Sequence, residues 1–169
     1  MEVIDVAMLV ARLWVGIVML AHGINHARTL DGTTEWFEKV GFKSPALNAR
    51  LSAANETAIG LAFLAGLLTT IAAAGVVATM LVAFWSIHRF AGFFVFHRPT
   101  EGYEYVATLA MLALVIAIVG PGSISLDSAL GISDDLDGSM GALIVGLGIV
   151  AGALQLAAFW RKPSGSDVT

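Results

Sequence analysis

Apolar residues come in long blocks along this chain, separated by short polar clusters. The first block contains "VAMLVARLWVGIVML", residues 6–20. A helix rises about 1.5 Å per residue, so about 20 apolar residues cross the hydrocarbon core of a bilayer. The pattern therefore predicts a first span over 3–24. Segment 28–50 is polar, with Trp36, Phe37, Val40 and Phe42 interspersed, and predicts a short amphipathic piece lying at the interface. Residues 51–87 are almost unbroken apolar, too long for one span, so the chain must turn once, at "GLLTT" (66–70). That gives spans over 51–68 and 70–87. Basic residues alternate with aromatics in "HRFAGFFVFHRPTEG" (88–102), as at a membrane–water boundary. A fourth span follows over 103–119, closed by "GPG". Then come an acidic loop, 123–139, and a fifth span over 140–160.

The expected fold is an all-α integral membrane protein, a four-helix transmembrane bundle plus a fifth C-terminal transmembrane helix. Residues 1–131 would form the bundle, 132–162 the acidic outer loop and fifth helix, and 163–169 a disordered tail.

Composition agrees. The chain is 57% hydrophobic and 13% charged, with mean hydropathy +0.83; an average soluble domain is about 25% charged. A net charge of −4 gives no electrostatic support for nucleic-acid binding. Without cysteine, disulfides, cysteine-ligated clusters and thiol relays are excluded within this chain. The opening "MEVIDVAML" carries Glu2 and Asp5 where a secretory signal would be basic, so it reads as a retained span.

Lysine and arginine orient the spans. With the C-terminus cytoplasmic and the N-terminus outside, Arg28, Lys39, Lys43, Arg50, Arg89, Arg98, Arg161 and Lys162 all fall inside. Only Arg12, of nine, does not. The last outer loop holds Asp127, Asp134, Asp135 and Asp137.

This layout assigns depths to the polar residues. His22, Glu56, His88 and Glu104 come from four successive helices to the same inner level, as ligand-binding or proton-relay candidates. Ionisable groups in spans are costly and usually face a bundle interior or a wet cavity. The plainer alternative is helix-end capping, with Glu at helix starts and His at helix ends. His26, four residues after His22, is expected to leave the helix at Gly23 and face headgroups. "HGINH" lacks the glutamate of H-E-x-x-H. Bis-histidine haem ligation by His22 and His88 is specified by nothing, so neither metal nor haem is expected. Arg12 lies inside the first span and needs a partner or a route to water; an Arg12–Asp127 ion pair is expected, with snorkelling to the outer headgroups as the alternative. Gly148 and Gly152 form GxxxG, which permits close helix approach within the chain or with a partner.

The ordered motifs resemble the DoxX family. They are "ARLWVGIVMLAHGINH", "WFEKVGF" with "SPAL", "AANETAIGLAFLAGLLTTIAA" and "GYEYVATLAMLALVIAIVGPGSISLDSALG", covering residues 6–131. The resemblance implies a four-helix bundle in the bacterial plasma membrane. It also implies association with membrane oxidoreductase complexes, hence other membrane or peripheral subunits as partners. Arg12, His22, Glu56, Glu104 and Asp127 match its polar positions, while the fifth span departs from its pattern. The leading expectation is an accessory subunit, rather than an enzyme on its own, with a cytoplasmic-side pocket for a quinone-like or other lipophilic molecule. The alternatives are a bundle that binds or transports a lipophilic solute without catalysis, and a structural subunit of a larger assembly.

Overall fold

The computed structural model describes residues 2–96 and 101–163, so Arg98 and the tail beyond Pro163 lie outside the described residues. Among the described residues the chain is all-helical, with no strand. The helices are α1 (Val3–Arg28), α2 (Leu30–Lys39), α3 (Pro45–Ala65), α4 (Thr69–Ser86), α5 (Glu104–Val119), α6 (Leu126–Ala129), α7 (Ser133–Leu136) and α8 (Gly138–Phe159). One 3₁₀ turn, His88–Phe90, follows α4.

Three helices, α1, α4 and α8, are long and apolar enough to cross a membrane. α5 is apolar but has 16 residues, about 24 Å of rise. α3 has 21 residues but carries Asn48, Arg50, Asn55 and Glu56. Large apolar side chains cover the outside of the bundle: Trp14 is 61% exposed, Leu147 61% and Leu154 64%. In water such a surface would demand a partner, whereas lipid tails solvate it as well as another helix would.

Two helix boundaries differ from expectation. α1 runs through Gly23 to Arg28 instead of stopping at 24. Gly23 is there for contact rather than escape: a Cβ on it would lie 2.5 Å from the Thr57 backbone nitrogen of α3. α3 starts at Pro45 instead of 51, with proline in the first turn, where its missing N–H is not needed. The α3–α4 turn falls at 66–68, where the apolar run required one.

Packing divides the bundle into two groups. α1 lies along α3, and α4 packs on α5 and α8. The contacts α3–α4 and α1–α5 join the groups, around a core including Val15, Met19, Phe63, Val76, Leu109 and Ile116. The glycine face of α8 is used inside the chain. Cβ atoms on Gly148 and Gly152 would meet the carbonyl oxygens of Ala74 and Ala78 on α4, at 2.5 and 2.9 Å.

The far end of α8 is fastened to the segment after α2. Trp160 Nε1 donates to Val40 O at 2.8 Å, Lys43 N to Phe159 O at 2.7 Å, and Arg161 N to Gly41 O at 2.9 Å. Phe42 and Trp160 form an isolated antiparallel bridge. Phe37, Phe42, Ala49, Leu156 and Trp160 make a small second core beneath these bonds. α2 is thereby held against α3 and the end of α8.

At the opposite pole, Arg12 and Asp127 do reach one turn, but not as the direct pair expected. Among the described residues no contact within 4.0 Å joins them; the ion pair within that distance is His26–Glu56. Instead Arg12 donates to the carbonyls of Phe63 (Nη1, 3.0 Å) and Ile124 (Nη2, 2.5 Å). Asp127 accepts from the N–H groups of Leu68 (2.6 Å) and Thr69 (2.9 Å). The cation satisfies one carbonyl at the C-terminal end of α3 and one in the loop before α6, and the anion satisfies the first donors of α4. Groups at helix ends lack i±4 partners and carry partial charge that matches these side chains. Leu68 is held in the left-handed region, φ 49°, so Asp127 also stabilises a strained residue.

Candidate functional site

The two helix groups separate slightly at the pole opposite Arg12 and leave a cavity of about 260 Å³. α1 supplies Met19, His22 and His26, and α3 supplies Ser52 and Glu56. α4 contributes Met80 and Ala83, α5 contributes Tyr105 and Leu109, and α2 closes one side with Trp36 and Phe37. The lining is mostly apolar, with further polar groups from Thr79 and Ser86 on α4 and from His88 and Glu101.

Close helix approach places the central groups. Gly23 on α1 sits against Glu56 and Thr57 on α3, and Gly60 sits against Leu20. These glycines let the backbones approach where a methyl group would keep them apart. His22 and His26, one helical turn apart on α1, therefore face Glu56 across the contact. Their ring centroids are 6.3 Å apart.

Glu56 is 5% exposed. Its Oε1 accepts from Ser52 Oγ at 2.5 Å, while Oε2 is buried with no hydrogen-bond partner. His26 Nε2 lies 3.7 Å from that oxygen. Thr33, buried on α2, places its Oγ1 3.3 Å from His26 Nδ1 and 3.5 Å from the His26 carbonyl, to which it donates. Thr33 Oγ1 thus engages Nδ1 and leaves Nε2 as the ring nitrogen that faces Glu56. One donor atom from each of His22, His26 and Glu56 falls within a 4.8 Å cluster. The Tyr105 ring lies nearly parallel to His22, with centroids 6.5 Å apart and a 22° tilt.

His22 and Glu56 thus come together. His88 reaches the rim, where Nδ1 donates to Glu101 O at 2.7 Å. Glu104 does not line the cavity. It opens α5, its N–H donating to Phe93 O, and the next residue, Tyr105, turns inward instead. The separation expected of the histidines is also overturned: His26 is half-buried and contacts Glu56, whereas His22 is the more exposed. Sequence reasoning missed His26, Thr33 and Tyr105. The i, i+4 spacing of the histidines was a usable signal, set aside because Gly23 was read as a helix exit. Nothing local marks Tyr105 or Thr33.

An open groove of about 720 Å³ runs along α3, α4 and α8. It shares Phe37, Ser52, Thr79 and Val82 with the cavity. Within it Asn55 Nδ2 donates to Thr79 Oγ1 at 3.1 Å, and Gln155 Nε2 donates to Asn48 Oδ1 at 3.3 Å.

Helices long and apolar enough to cross a bilayer, with large apolar side chains on the outside, define a helical membrane protein. The DoxX family model matches residues 7–89, from α1 into the 3₁₀ turn, so this part of the chain is similar to that family. No curated protein and no solved structure matches it. The matched segment contains Arg12, His22, His26 and Glu56 and ends before Tyr105.

Proposed function

We propose that this DoxX-like protein is an accessory subunit of a membrane oxidoreductase complex and binds the head of a quinone-like molecule in the cavity. One observation carries the reading: a buried carboxylate oxygen without a partner faces the imidazole of His26 in a cavity with mostly apolar walls. Imidazole, carboxylate and phenol can hydrogen-bond a quinone carbonyl and exchange the protons that accompany its reduction. The neighbouring groove gives an apolar tail a lateral way out. Electrons would come from partner subunits.

The same reading has five spans, α1, α3, α4, α5 and α8, with the cavity on the cytoplasmic side of a bacterial plasma membrane. Basic residues support the orientation. Arg89 lies over Trp85 (4.1 Å) and Phe90 (4.5 Å), with Trp160 at 5.6 Å, on the cavity pole. Such aromatic and cationic belts mark membrane interfaces.

Photo-crosslinking tests the ligand. A short-chain azido-benzoquinone is added to the full chain in mild detergent with a chelator present. Labels should concentrate on Tyr105, Met80 and Trp36, fall with excess unlabelled quinone, and fall in Leu109→Trp, which fills the cavity. Labelling spread over lipid-facing Trp14 and Leu154, without competition, would sink the proposal.

A further inference from the structure

We propose that His22, His26 and Glu56 form a binding site for one divalent transition-metal ion of the zinc or ferrous type. Two imidazoles and a carboxylate are donors that such ions accept, and the set leaves coordination positions open toward the cavity. The geometry is close to what an ion requires. Tetrahedral Zn²⁺ with bonds of about 2.1 Å holds its donor atoms about 3.4 Å apart. Here His26 Nε2 and Glu56 Oε2 are 3.7 Å apart, and all three donors lie within 4.8 Å. Small side-chain rotations close the difference.

Three further observations point the same way. Glu56 Oε2 is a buried acceptor with no hydrogen-bond donor. The Thr33 contact engages His26 Nδ1, so Nε2 is the nitrogen left to coordinate, and it faces Glu56 Oε2 at 3.7 Å. A cation at that point satisfies both. Thr33 also does what outer partners of metal-bound histidines do: its contact with Nδ1 holds the ring plane. Ser52, bonded to the other carboxylate oxygen, does the same for Glu56 and leaves Oε2 free to coordinate. Finally, Gly23 brings α1 and α3 together at this level, so the donors sit on a rigid helix–helix contact rather than on loops.

Metal binding requires no lipophilic ligand, so this proposal stands or falls apart from the one above. Full-length protein in mild detergent is stripped with a chelator, dialysed and titrated with Co²⁺, whose visible d–d absorption reports coordination. We expect saturation at one ion per chain, with intense bands of four- or five-fold coordination that Zn²⁺ abolishes by displacement. Glu56→Gln and His26→Ala should each weaken binding at least about tenfold, and Thr33→Val by a smaller factor. His22 is exposed, so His22→Ala preserves packing and decides the matter if the buried variants fail to fold. Zn²⁺ should raise the Tm of the natural chain by mass action and leave that of His22→Ala nearly unchanged. Weak, unsaturable absorption would overturn the proposal. So would equal binding by the His22→Ala variant, which would place the ion elsewhere, for instance on the acidic segment around Asp134 and Asp135.

Discussion

Replacing Arg12 with methionine removes the guanidinium from the α3–α4 turn while keeping the apolar stem. Two hydrogen bonds disappear, to Phe63 O at 3.0 Å and Ile124 O at 2.5 Å. A hydrogen bond from a charged group is worth about 1.5–3 kcal/mol, so the pair contributes roughly 3–6 kcal/mol. Methionine recovers part of that, because a buried guanidinium carries a desolvation penalty of several kcal/mol. It also leaves the Asp127 charge, 2% exposed, with backbone N–H groups alone for compensation. Removing one partner from a buried charge set typically costs about 3–5 kcal/mol. A net loss of about 3 kcal/mol is the expected balance. Unfolding entropy of about 2.1 cal/mol/K per residue gives roughly 0.35 kcal/mol/K for the 169 residues. Tm should therefore fall by about 8–9 °C. Thermal scans read by fluorescence-detected size exclusion in mild detergent measure it. Asp127→Asn should also lower Tm, and the double variant should lose less than the two single losses added, since both charges secure one turn. A Tm within about 2 °C of the natural chain, worth under ~1 kcal/mol, would refute the role given to Arg12. Full additivity would refute the shared turn.

Other outcomes follow from the packing. Gly23→Leu should push α1 from α3, cost about 1–3 kcal/mol by overpacking, and abolish both Co²⁺ binding and competitive quinone labelling. Gly148→Leu with Gly152→Leu should prise α8 from α4, read as a lowered Tm and new protease sensitivity after Trp160. Trp160→Ala should cost about 3–5 kcal/mol, as for a core tryptophan, and raise the labelling rate of a cysteine placed at the buried position Thr33. Because the chain has no cysteine, Asp135→Cys and Lys162→Cys can be labelled cleanly. Impermeant maleimide should reach the first from outside and the second only from the cytoplasmic side.

Long-range order was legible from the apolar blocks, because in lipid a helix must satisfy its own backbone and its length is set by bilayer thickness. The turn at 66–68 was legible for that reason. Local exceptions were not. Gly23 looked like an exit from α1, yet its meaning lies on another helix, at Thr57. Glu104 and Tyr105 are adjacent, and only the rotation of α5 against α4 decides which faces the cavity. The Arg12–Asp127 expectation put both charges at the right turn but paired them with each other, since sequence shows charges and hides the unpaired peptide groups at helix ends. The role of α8 was the least legible. Its glycines were equally compatible with an outside partner, and its tie to segment 40–43 is made by backbone atoms, which leave no signature in residue type.

That tie has a consequence for how the protein is made. Gly41, Phe42 and Lys43 emerge from the ribosome early, and their partners Arg161, Trp160 and Phe159 follow about 118 residues later. At roughly 5–20 residues per second, the interval is about 6–24 s. Through that time α2 has α3 beside it but nothing to latch its far end, and the cavity has a wall without a fastening. The fastening of the pocket wall is therefore completed only when the end of α8 arrives, and a nascent chain without it has no finished site to load.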